Sequence, residues 1–89
     1  MNTKADRLLN QVRQAQKLGQ KILQESTLNQ EGVIYAFATA DTLIINCKDL
    51  ETTWRFDQEQ LKLRQAIAQI KSSIQTIWIE KSGKALYHF

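Results

Sequence analysis

The chain has 89 residues, of which 43% are hydrophobic and 24% are charged. That length leaves room for one domain over residues 1–89, and that balance excludes an intrinsically disordered chain. Proline is absent and glycine occurs three times, so the connections between elements are expected to be short.

Cys47 is the only cysteine, which excludes an intrachain disulfide and points to a reducing, cytoplasmic setting. No apolar run reaches the length of a membrane span, so no membrane partner is expected. The net charge is +3, and its placement is uneven. Residues 1–27 hold Lys4, Arg7, Arg13, Lys17 and Lys21 against Asp6 and Glu25, and the remaining charges cancel. The whole basic excess therefore belongs to the first segment.

Residues 3–27 read as an amphipathic helix. Ala5, Leu8, Leu9, Val12, Ala15, Leu18, Ile22 and Leu23 recur at helical spacing, and Arg13, Gln14, Lys17 and Lys21 occupy the opposite half. Thr3 is the expected cap, and Asp6 suits the first turn. Gly19 lies toward the apolar side, where it permits close packing, and Gly32 is the expected stop.

Two strands are expected at Val33–Thr39 and Thr42–Cys47, turning through Ala40-Asp41. In that register Ala38 opposes Leu43, Ala36 opposes Ile45 and Ile34 opposes Cys47, which makes one face wholly apolar. Val33, Tyr35, Phe37, Ile44, Asn46 and Lys48 fall on a mixed face. A third strand is expected at Thr52–Phe56, with Trp54 opposite Ile45 and Phe56 opposite Leu43. Thr53 and Arg55 then join the mixed face.

Asp57 reads as an N-cap with Gln60 as its capping-box partner, opening a second helix with Leu63, Ala66, Ile67, Ile70 and Ile74 on its stripe. Gln75–Lys81 and Lys84–Phe89 read as a hairpin turning on Ser82-Gly83. Its simple register groups Ile77, Ile79 and Leu86 with His88, and Trp78, Tyr87 and Phe89 with Thr76 and Glu80. The expected fold is α+β, ordered α-β-β-β-α-β-β. It comprises an antiparallel sheet, made of a three-stranded meander plus a C-terminal hairpin, with two amphipathic helices. The string α-β-β-β-α resembles double-stranded RNA-binding domains in element order alone. Asp57-Gln58-Glu59-Gln60 stands where that family has lysines, so no residue role carries over.

No glycine-rich phosphate loop, paired metal-ligand spacing or nucleophile elbow is present, so no cofactor, metal or catalytic residue is assigned. Cys47 on the apolar face reads as a packed thiol. The aromatic mixed faces are the most informative feature. Tyr35, Phe37, Ile44, Arg55 and Trp78 are the candidate partner-binding residues. They are core if a helix covers them, and a docking patch if both helices share the other face.

The first functional expectation is therefore a non-enzymatic interaction or regulatory protein that forms a homodimer or docks on another protein. The second is a nucleic-acid binder, with Arg13, Lys17, Lys21 and Lys48 on phosphates and aromatic rings on bases. The third is a small, toxin-like, metal-independent ribonuclease with His88 or Tyr87 as the proton-transfer group.

Overall fold

The computed structural model describes residues 4–70 and 72–89. Along the chain these form α1 (Lys4–Ser26), β1 (Val33–Ala38), β2 (Thr42–Cys47), α2 (Leu50–Gln58), α3 (Gln60–Gln69), β3 (Thr76–Lys81) and β4 (Lys84–His88). One four-stranded sheet has the order β1-β2-β3-β4. Its outer pairs are antiparallel, and the central pair, β2 with β3, is parallel. The α+β class holds. The expected purely antiparallel sheet is corrected to a mixed one, and the two expected helices become three among the described residues. The expected Thr3 cap lies outside the described residues.

The apolar stripe of α1 buries only at its C-terminal half, through Gly19, Ile22, Leu23 and Ser26. The helix ends earlier than Gly32. Ser26 Oγ donates to the Leu23 carbonyl, and Thr27 takes a positive φ of 60° that ends the helical run. Gly32 instead sits at φ 90° ahead of β1, where a Cβ would stand 2.1 Å from Thr52 Oγ1.

The first hairpin keeps the expected pairs Ala38↔Leu43 and Ala36↔Ile45. A bulge between Val33 and Tyr35 then shifts the register, so Val33 rather than Ile34 faces Cys47. Ile34 is turned out and exposed.

The largest departure is at Thr52–Phe56, which is helix α2 and not a third strand. With no strand there, the meander and its Trp54–Ile45 and Phe56–Leu43 pairings do not exist. Two β-branched threonines and two aromatics suggest a strand by composition. The local hydrogen bonds decide otherwise. Asp49 accepts from both Thr52 N and Thr52 Oγ1, at 2.8 and 2.6 Å, and so caps the helix. Thr53 Oγ1 then donates back to the Leu50 carbonyl.

The break to α3 falls at Glu59 (φ −107°), not at Asp57. Gln60 Nε2 does donate to Asp57 Oδ1 at 2.7 Å, but Asp57 lies inside α2. With helix in place of the third strand, the likeness in element order to double-stranded RNA-binding domains lapses.

This helix pair also explains the sheet. After β2 the chain crosses the core face through α2 and α3 instead of reversing at once, so β3 enters parallel to β2. The core lies between that face and the helices. Leu43, Ile45, Cys47, Ile77 and Ile79 from β2 and β3 meet Ile22 and Leu23 of α1, Phe56 of α2, and Leu63 and Ile67 of α3.

Candidate functional site

Among the described residues, all three helices contribute to one buried cluster on one side of the sheet. The other side has no covering element among the described residues. The strand registers lay its residues in rows. Phe37, Ile44, Trp78 and His88 are successive neighbours from β1 to β4. Tyr35, Asn46, Glu80 and Ala85 form the row beside it. Tyr35, Phe37, Ile44 and Trp78 are half-buried by one another, and His88 is exposed.

The rows are held by specific contacts. The Tyr35 and Phe37 rings lie 4.8 Å apart between centroids, tilted by 53°. The Trp78 and His88 rings lie 4.6 Å apart. Tyr35 OH donates to Glu80 Oε1 at 2.8 Å, reaching from β1 to β3 over the Asn46 side chain between them. That hydrogen bond and partial burial push the Tyr35 phenol above its ordinary pKa of 10.0. Asn46 is 3% exposed, and its Oδ1 accepts from Gly83 N at 2.8 Å. This fastens the β3–β4 turn to β2. The turn itself uses positive φ at Ser82 and Gly83, as the sequence suggests.

The face assignment of β4 is corrected. A bulge between Ile79 and Glu80 leaves Leu86 out of the pairing and reverses the parity of the residues beyond it. Tyr87 therefore opposes Ile79, and Phe89 exchanges backbone hydrogen bonds with Ile77, on the core side. His88 moves to the open side beside Trp78. Tyr87 OH donates to the Thr53 carbonyl at 3.1 Å, and burial together with the Asp57 carboxylate pushes its pKa up to about 12. That environment opposes proton transfer by Tyr87 near neutrality. Tyr87 and His88 lie on opposite faces, so the strand does not present them as a pair.

The sequence-derived candidates thus divide. Tyr35, Phe37, Ile44 and Trp78 come together on the open face. Arg55 does not join them. It lies on α2, where its Nη1 donates to the carbonyls of Asn29 at 3.1 Å and Glu31 at 2.7 Å and so anchors the α1–β1 connection. Arg13, Lys17 and Lys21 are exposed on α1, and Lys48 is exposed just beyond β2. The helix carrying the first three packs on the opposite side of the sheet from the aromatic rows. Neither Arg55 nor the cations of α1 therefore flank the aromatic rings.

Cys47 is fully buried in the core. Burial first, and the Asp49 carboxylate second, push its pKa up to about 11. It is a packed thiol and not an activated one. Among the described residues no group of three or more His, Cys, Asp or Glu side chains is arranged to hold a metal ion. No described helix is long and apolar enough to cross a membrane.

A second surface was hidden in the sequence. The stripe of α1 runs its whole length, but residues 4–14 are all exposed. Leu8, Leu9 and Val12 are exposed by 61%, 53% and 46%. The amphipathic pattern identifies these as burying residues and does not say that their own chain leaves them uncovered. No protein-family model, curated protein or solved structure matches the chain.

Proposed function

We propose that this protein is a non-enzymatic interaction module that docks on protein through the open face of its sheet. One observation carries the reading. All three helices pack on one side, which leaves the row Phe37–Ile44–Trp78 without an intrachain cover among the described residues. A contiguous apolar patch of this kind, on a rigid sheet, marks an interaction surface. Two tilted aromatic pairs supply the large, stiff side chains that anchor protein interfaces. The carboxylate in these rows, Glu80, is already engaged by Tyr35, so little desolvation opposes an apolar partner.

The test is Ile44→Lys. Ile44 sits mid-row and is only half-buried, so the charge blocks the face without entering the core. Sedimentation and crosslinking with mass spectrometry, run on wild type and variant, should show an association that the variant loses. A wild-type chain that stays monomeric and captures no defined protein partner would refute the reading. Binding to nucleic acid at low salt that survives Ile44→Lys but fails on reversing Arg13 and Lys17 would favour the electrostatic alternative instead.

A further inference from the structure

We infer that the occupant of the open sheet face is the protruding N-terminal half of α1 from a second copy of this chain. The inference rests on the docking role of that face and names what docks there.

Gly19, Ile22 and Leu23 point from α1 up to the sheet. At 100° per residue, Leu8 and Val12 project on that same side of the helix. Past the end of β1 the sheet stops but the stripe continues. A cleft of about 370 Å³, lined by Gln14, Ala15, Leu18, Ala38 and Ala40, marks where the helix parts from the β1–β2 turn. The exposed stripe and the open sheet face therefore look the same way, one helix-to-sheet layer apart.

A two-fold axis lying in the sheet plane satisfies both surfaces at once. It turns the second copy over and sets its sheet level with the first. Each protruding helix then lies on the open face of the other sheet. The contact is isologous and closes on itself. Each open face then gains a helix, with Leu8 and Val12 turned toward Phe37, Ile44 and Trp78.

Residues 4–14 extend about 16 Å as helix. Four strands span about 14 Å between the outer pair, a comparable length. One such helix on one sheet has a footprint of roughly 160 Å², taking a helix diameter of about 10 Å. That is about a fifth of the roughly 800 Å² per partner in a stable interface. The reciprocal arrangement seats both helices and doubles the contact, which a single helix from an unrelated partner does not.

The experiment uses the full chain with Trp54→Phe. The chain has two tryptophans, and this leaves Trp78 on the open face as the sole one. Trp54 is 61% exposed on α2, so its loss leaves the core intact. Sedimentation equilibrium should show a dimer. Trp78 emission should move to longer wavelength on dilution as the helix leaves it. Leu8→Glu/Val12→Glu, at exposed sites that do not enter the core, should raise the dimer dissociation constant at least about tenfold and hold Trp78 at the long-wavelength limit. Val12→Ile should leave both readouts in place.

A dimer that survives Leu8→Glu/Val12→Glu but dissociates with Ile44→Lys would overturn the inference and leave the docking role standing. So would a monomer whose open face binds a different protein. A dimer indifferent to both variants would overturn the inference and the docking role together.

Discussion

Gly19→Ala probes how closely α1 is pressed on β1. A Cβ built on Gly19 meets the Ala36 carbonyl oxygen at 2.6 Å, the Ala36 carbonyl carbon at 2.7 Å and Phe37 N at 3.0 Å. These are backbone atoms of a hydrogen-bonded strand, so no side chain can swing aside. Two effects oppose each other. In an isolated helix, alanine is favoured over glycine by about 1 kcal/mol. Overpacking of a close contact costs about 1–3 kcal/mol. Here the contact is with rigid backbone, so the cost sits at the upper end and the net effect is destabilisation of about 1–2 kcal/mol.

For a chain of this size that lowers the melting temperature by roughly 5–15 °C. Thermal and urea unfolding followed by circular dichroism measure it, with exposed Gln14→Ala as the control for propensity alone. A Gly19→Ala protein as stable as wild type, or more stable, would refute the claim that α1 rides on the β1 backbone. The placement of the protruding half would then lose its anchor.

Three further outcomes are expected. Asp49→Ala removes the cap that accepts from Thr52 N and Thr52 Oγ1, and should cost about 1 kcal/mol in urea unfolding; Asp49→Asn should recover most of it. Asn46→Ala orphans Gly83 N and should cost about 1–3 kcal/mol, with faster amide exchange at the β3–β4 turn as the local signature. Stability should decline at alkaline pH. The folded state raises Cys47 from 9.0 to about 11 and Tyr87 from 10.0 to about 12, so it favours both neutral forms. Their contribution is whole below pH 9 and is lost as pH rises through 9 to 12. Unfolding monitored across that range, and slow alkylation of Cys47 in the native protein, check the point.

The residues themselves show why some elements are legible in the sequence and others are not. The first hairpin follows from alternation and a short turn, because a one-residue slip would expose Leu43 and Ile45. Two bulges then change face assignments locally. One turns Ile34 out, and the other moves His88 to the open side and Tyr87 to the core. A bulge leaves no periodic trace, since each inserts one unpaired residue into an otherwise regular strand.

Thr52–Phe56 is ambiguous because its composition suits a strand while its capping suits a helix. A signal for the helix is present: Thr52, Thr53, Phe56, Leu63, Ala66 and Ile67 are buried, and they lie at helical spacing across the Glu59 break. Reading Asp57 as a cap cuts that pattern in two.

From composition, periodicity and turn chemistry the sequence by itself determined an α+β domain, the α1 stripe, the first hairpin and the Ser82-Gly83 turn. Those are local properties, carried by residues within a few positions of one another. Only the tertiary structure decided that all three helices share one side of the sheet, that β3 runs parallel to β2, and that half of α1 extends past its own core. The reason is physical: an amphipathic pattern records that a face is to be buried, and is the same whether the cover comes from its own chain or from another.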